Sequence, residues 1–234
     1  MARSRRKKRS SSVVIVVLVL VALAAGAWFV MQRYRHVLPL DSTPVATTTT
    51  AISSERVDPA NDRHRVSVSG SLKVAMPVRD PQLGINADAV ALVRTVEMMQ
   101  WRRCAPPDDC EYELQWSQQP VDSSAFKKGH ENPAHLPFAS ERFLADDIRL
   151  GAFKVDAALA TAAVESAAFP VHVAQLPPNL AATFRDHTGM LYAGADPDHG
   201  AVGDLRVSYR VVAAGPVHLT AIQEGDHLKS LPAH

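Results

Sequence analysis

This chain of 234 residues has little of several things that particular functions require. It has two cysteines, too few for a disulfide-dense scaffold, and no ordered set of further ligands flanks them to make a zinc site. Its eleven glycines are scattered singly, so no phosphate-cradling loop is present. Nothing resembles G-x-S-x-G, and catalysis has no motif to rest on. Basic charge is scarce in the body of the chain. Setting aside the six cations of residues 3–9 together with Arg33 and Arg35 turns a net charge of +1 into −7 from Asp41 onward. Such a body lacks the cationic surface that phosphate neutralisation demands, which excludes nucleic acid as its partner. No internal repeat is visible.

What is present is ordinary for a folded protein: 47% hydrophobic and 21% charged residues argue against a disordered, collagen-like or wholly membrane-embedded chain. At about 150 residues per domain, the length beyond an anchoring segment leaves room for one core. The basic tail of residues 1–12 contains Arg3, Arg5, Arg6, Lys7, Lys8 and Arg9, and an uncharged run from Val13 to Met31 follows. At ~1.5 Å rise per residue that run reaches roughly 28 Å, close to the hydrocarbon thickness of a bilayer. In lipid the segment must satisfy its own amides, so a transmembrane helix is expected over 13–35, with Trp28 and Tyr34 at the interfaces. The cation bias keeps the N-terminus in the cytoplasm and exports the rest. A cleaved signal is the competing reading, because Ala25-Gly26-Ala27 offers small residues for cleavage. Retention is favoured by the length of the run and the bulky Trp28-Phe29 after it.

Residues 36–62 are rich in Pro, Ser and Thr and read as a linker, either a tether or an incoming strand. The exported body, 63–234, reads as one α+β, mostly β domain. His64 to Val74 alternates with period two, and Asp80-Pro81 with Gly84 marks a turn. Ala89 to Arg103 is read as one long strand, with a helix as competitor. Glu111 to Ser117 alternates so that Tyr112, Leu114 and Trp116 share one face. Between these two strands, Cys104 and Cys110 enclose a polar, proline-containing turn, and a cross-hairpin disulfide is expected in an oxidising compartment. Its small loop limits the stabilisation to at most ~3 kcal/mol and pins the register. Asp122-Ser123-Ser124 suits the cap of a short helical turn. Phe143 to Phe153 suits a pair of strands, and Asp156 to Ala168, alanine-rich and stopped by Pro170, predicts a helix. Leu191–Ala193, Asp204–Ala213 and Val217–Gln223 read as strands, the last two as a hairpin through Ala214-Gly215-Pro216.

Candidate chemistry is thin. His130 and His135 stand five apart in a proline-rich loop, without the one-face geometry of helical ligands. Asp196-Pro197-Asp198-His199-Gly200 gathers two carboxylates and an imidazole, yet its proline and the lack of a downstream bidentate acid depart from an EF-hand, and a solvated turn is the plainer reading. Ser123, His130 and Asp122 are close in sequence but form no recognised nucleophile motif. No metal, cofactor or catalytic residue is assigned.

The ordered segments nevertheless form a pattern. VALVRTVEMMQW from Val90 to Trp101, EYELQWS, Asp122-Ser123 with Phe126, GHENP from Gly129 to Pro133 and VGDLRVSY from Val202 to Tyr209 together resemble the LUMA, or transmembrane protein 43, family over roughly Arg65 to Gly225. Several motifs in consistent order are far more specific than any one. The resemblance implies that Glu97, Gln100, Trp101, Trp116, Asn132, Pro133, Gly203, Asp204 and Arg206 occupy family motif positions. Arg206 and Glu97, on strands, are candidates for a buried pair that fixes register, and Trp101 and Trp116 for packing across the hairpin. The family has an N-terminal span, a large lumenal domain and further spans, and it is regarded as a scaffold organising membrane protein complexes. Those further spans follow the segment equivalent to Gly225-Asp226-His227-Leu228, so the chain is expected to be either a single-span variant or a fragment. Its Ala-, Arg- and Val-rich composition suggests a bacterial inner-membrane protein with a periplasmic domain.

The reading favoured is therefore a membrane-anchored, non-enzymatic interaction protein, held in the lipid bilayer through Val13 to Met31 and binding envelope or membrane proteins or further copies of itself. An exported metal-dependent or histidine-assisted hydrolase using the His130 to His135 loop, and a lipid-associated envelope module, are the alternatives.

Overall fold

The computed structural model describes residues 48–105 and 110–232. The span expected over Val13–Met31 lies outside them, and among the described residues no helix is long and apolar enough to cross a membrane. The fold is α+β and mostly β. Along the chain come β1 (Thr50–Ile52), β2 (Arg65–Val74), β3 (Val78–Arg79), β4 (Asn86–Ala87), β5 (Ala89–Arg103) and β6 (Tyr112–Ser117). They are followed by β7 (Glu141–Leu144), β8 (Ile148–Leu150), β9 (Phe153–Val155), helix α1 (Ala157–Ala163), β10 (Ala167–Phe169) and helix α2 (Pro178–Ala181). The last are β11 (Arg185–His187), β12 (Met190–Ala193), β13 (Leu205–Ala213), β14 (Pro216–Glu224) and β15 (His227–Lys229).

One sheet closes on itself. β2 pairs antiparallel with β14, β14 with β15, β15 runs parallel to β9, β9 pairs with β8, and β8 returns to β2 through Leu72–Val74. Closure leaves none of these five strands as a free sheet edge. Alternation along β2 sends Val66, Val68 and Leu72 inward against Leu150, Phe153 and Leu219, all essentially inaccessible. β1 adds to β2 in parallel register, so of the two readings of residues 36–62 the incoming strand holds for Thr50–Ile52. Just after it, the Ser54 carbonyl accepts from the Ala152 amide at 2.8 Å. Gly151 makes this approach possible: its φ is +61°, and a Cβ there would stand 2.1 Å from that carbonyl oxygen.

The second sheet is open and built around β5. Its burial pattern shows why the strand reading prevails over a helix: Val90, Leu92, Arg94, Val96, Met98 and Gln100 are all buried, a period of two. β13 covers one edge of β5 from Ala89 to Met98. The other edge takes β7 opposite Ala91–Arg94 and β6 opposite Met98–Arg103. β10 and β12 share the far edge of β13, and β11 lies outside β12. A second apolar core, including Leu83, Ile85, Leu92, Val171, Leu191 and Val207, packs on this sheet.

Three local expectations change. The helix predicted from Asp156 to Ala168 stops at Ala163: Asp156 makes no side-chain cap, Val164 is extended, and Ala167–Phe169 pair with Tyr209–Val211. The Arg210 guanidinium, bonded to the Ser166 carbonyl and hydroxyl, fixes that segment as strand, so a sheet partner overrides alanine's helix preference. β13 and β14 are not a hairpin. Both edges of β13 are already paired, and after Ala213 the chain leaves the open sheet so that β14 lies against β2, with the Leu72 amide donating to the Gly215 carbonyl. Asp122-Ser123-Ser124 forms a turn without helix, in which the Ser124 amide donates to the Asp122 carboxylate.

The open sheet also buries an ion pair. Arg94 and Asp80 are both fully inaccessible, with Nη1 to Oδ2 at 2.6 Å. Arg94 further donates to Gln82 Oε1, Glu141 Oε2 and the Ala139 carbonyl, while Asp80 accepts from the Tyr209 hydroxyl at 2.6 Å and from the amides of Gln82 and Leu83. Burial, and then the neighbouring Asp80 carboxylate, push the Tyr209 phenol well above its ordinary range, so it stays a donor. A buried pair this fully hydrogen-bonded ties the β3–β4 turn to β5, β7 and β13.

Candidate interaction surface

β5 outruns its partner β13, and the residues that the resemblance singles out as motif positions gather where it does. The Arg206–Glu97 pair comes first: the two residues are direct neighbours in the β13–β5 register, with Nε to Oε2 at 2.6 Å. It is half-buried. The guanidinium also stands 4.5 Å above the Trp116 ring centroid, so one side chain is held by a carboxylate and an aromatic face together.

Beyond Leu205 the ladder continues without regular strand. The Gly203 amide donates to the Met99 carbonyl and the Met99 amide donates to the Asp204 carbonyl, both at 2.9 Å. Gly203 holds φ +90°, a turn that a side chain would strain, and its missing Cβ faces Pro133. One step further along β5, the Asn132 side chain replaces a strand residue. Its Oδ1 accepts from the Trp101 amide at 2.7 Å and its Nδ2 donates to the Trp101 carbonyl at 2.8 Å. On the buried face Gln100 does the same for the incoming loop: Nε2 donates to the Gln119 carbonyl and Oε1 accepts from the Val121 amide. Two amide side chains therefore stitch residues 118–140 to the end of the sheet.

Asp204 anchors the other loop at this corner. Its Oδ2 accepts from the Tyr192 hydroxyl at 2.5 Å and from the Ala201 amide at 2.8 Å. Burial first, then the bond to Asp204, raise the Tyr192 phenol to about 12. Tyr192 has no counterpart among the motif positions and was not recognisable in the sequence, since nothing local to Leu191–Ala193 indicates a partner twelve residues on.

Trp101 and Trp116 are not cross-strand partners: Trp101 lies opposite Leu114, and Trp116 opposite Met99. Trp101 instead meets the His130 ring edge-on at 4.6 Å, and His130 stacks on Tyr112 at 4.2 Å. Nearby, Cys104 and Cys110 are joined in a disulfide at the β5–β6 tip, and Lys127 pairs with Glu111 at 2.7 Å.

The residues considered for chemistry are not drawn into one site. His130 is packed between aromatic rings, whereas His135 is exposed. His199 sits on Asp196 at 3.0 Å, and Asp196 also accepts from the Asp198 amide. These two bonds, the amide first, hold the Asp196 carboxyl below its usual range. Ser123 donates no proton to a base; its hydroxyl oxygen accepts from the Asn132 amide. Among the described residues, the one close group of three cysteine, histidine or acidic ligand atoms is Cys104, Cys110 and Glu113, and its two sulfurs are bonded to each other.

Comparison with known proteins agrees with the family resemblance. The family described as Transmembrane protein 43 matches residues 103–232, more than half of the chain. Transmembrane protein 43 of Rattus norvegicus is 26% identical over 200 residues, covering 75% of this chain and 49% of the relative. That of Homo sapiens is 25% identical over 206 residues with the same coverage, and the Drosophila melanogaster homolog is 25% identical over 146 residues, covering 56% and 39%. The chain thus spans about half the length of the relatives it matches. No solved structure matches it. With the motif residues meeting at one corner and the family match running through it, the chain belongs to the transmembrane protein 43 family, a family of membrane-associated proteins.

Proposed function

We propose that the protein is a non-enzymatic scaffold, anchored in a membrane by Val13–Met31, whose exported domain organises other membrane or envelope proteins. In a bacterial cell that domain is periplasmic. The observation that carries this reading is how the motif side chains are spent. Asn132, Gln100 and Asp204 satisfy backbone groups of neighbouring segments, and Arg206 is held between Glu97 and Trp116. Groups committed in this way preserve the shape of a surface; a reaction centre would instead leave a nucleophile and a base free to meet a substrate. The lack of basic surface removes nucleic acid from the partners considered, and no cofactor is invoked.

The test is a cross-linking capture of the full chain from intact membranes. The native chain is expected to bring down a defined set of membrane proteins, and Arg206→Ala, which frees Glu97 and uncovers Trp116, is expected to lose part of that set. Recovery of the chain alone from native membranes overturns the proposal.

A further inference from the structure

The longest unpaired edge of the open sheet is β6. It pairs with β5 on one side without any register shift, and it contains no lysine, proline or bulge to blunt it; Glu113 is its one charged residue. The Cys104 amide donates to the Glu111 carbonyl, so Glu111, Glu113 and Gln115 turn their backbone groups toward β5. Tyr112, Leu114 and Trp116 therefore turn theirs outward, and no bond to these groups occurs among the described residues. Leu114 is also one of only three large apolar side chains exposed among those residues, with Met76 and Leu144. Leu144 belongs to β7, on the same edge of β5.

The geometry points to a second copy of this chain as the occupant of that edge, with the two β6 strands pairing antiparallel about a two-fold axis at Leu114. The strand's sequence is complementary to itself in that register. Leu114 meets Leu114 of the second copy, Tyr112 meets Trp116, Glu113 meets Gln115 and Glu111 meets Ser117, so no two like charges are opposed. All three outward-facing residues of each copy become hydrogen-bonded, and two seven-stranded sheets merge into one continuous sheet. Neighbouring registers are poorer. Centring on Glu113 sets two carboxylates face to face, and centring on Gln115 moves Tyr112 opposite Gln118, past the end of the strand. This pairing rests on the scaffold reading and gives one of its contacts a defined partner.

Single cysteines in the full chain, oxidised mildly in native membranes, test both the partner and the register. Hydrogen-bonded antiparallel neighbours lie about 5.5 Å apart at Cα, within disulfide reach. Leu114→Cys is expected to shift the band from the 25.4 kDa monomer to a dimer, while Glu113→Cys and Gln115→Cys remain monomeric. Glu113→Cys mixed with Gln115→Cys is expected to give the dimer that neither gives alone. Leu114→Lys, which places like charges on the axis, is expected to abolish dimer formation by an amine-independent cross-linker. Absence of the Leu114→Cys dimer, equal dimer yield from all three cysteines, or linkage of Leu114→Cys to a different polypeptide each overturns the proposal. A chain that captures its set of membrane proteins yet yields no Leu114→Cys dimer loses this pairing and keeps the scaffold reading.

Discussion

The two sheets of the domain solve different problems. The closed sheet is sealed by apolar side chains such as Leu72, Phe153 and Leu219, and only Gln223 among its strand residues is both polar and fully buried. The open sheet buries Asp80, Arg94 and Gln100, carries the half-buried Arg206–Glu97 pair, and contains Trp101 and Trp116 and bonds to Asn132, Gly203 and Asp204. Hydrophobic packing is non-directional and tolerates adjustment, whereas hydrogen-bonded ions specify one arrangement. Each sheet thus draws stability from an apolar core of its own, and the open one in addition fixes the relative positions of the loops that meet at the corner.

Substitutions of graded severity test that division. The largest effect is expected from Arg94→Ala, which strands Asp80 in the interior and costs about 3–5 kcal/mol in urea unfolding. Arg94→Met combined with Asp80→Asn keeps the turn acceptors and removes the charge, and it is expected to recover much of the loss. If the double variant is no better than the single one, the ion pair is not what the sheet depends on. Next comes Leu219→Ala in the closed sheet, at about 2–5 kcal/mol. Because Trp101 and Trp116 are remote from that core, their emission before the transition should match the native protein; altered emission would mean that the sheets do not behave independently. Asn132→Ala is smaller, about 1–3 kcal/mol, because it leaves the amide and carbonyl of Trp101 without their side-chain partner. Asn132→Asp keeps the acceptor and loses the donor, and should fall between. The smallest effect is alkaline. Tyr192 has its proton affinity raised on folding, from 10 to about 12, so its contribution is complete below pH 10 and disappears as pH rises toward 12. Unfolding curves of Tyr192→Phe over that interval should lack this part of the decline; parallel curves for the two proteins would mean that folding does not raise the Tyr192 phenol.

Strands whose alternation is long were legible in the sequence. β5 spans the residues its pattern delimits, and β2 and β6 differ by one residue at their starts. The turn at Asp80 and Gly84 and the disulfide loop were legible too, since both are encoded over a few neighbouring residues. The errors lie where a distant partner decides. Ala167–Phe169 is strand because β13 and Arg210 are there, and β14 leaves β13 because β2 offers it an edge. Motif positions could be named, yet their arrangement could not: nothing within GHENP says that Asn132 will bond to Trp101. The buried ion pair does leave a trace in the sequence. Arg94 shares the inward register of Val90, Leu92, Val96 and Met98, and a charge in such a row requires a buried partner.

The excursion of residues 118–140 has one further implication. β6 and β7 run in the same direction along one edge of β5, with Ser117 opposite Met98 and Glu141 opposite Arg94. They read as a single border strand, cut open to admit a long detour that carries Asn132 and Pro133. A bridge of three residues, matching Thr95, Val96 and Glu97, would make that border continuous again. The detour is nevertheless tied to the frame at its far end, where Leu136 and Phe138 pack on the second core and the Ala139 carbonyl receives the Arg94 guanidinium, so an exchange of this segment between relatives leaves the frame intact only if residues 136–140 are kept.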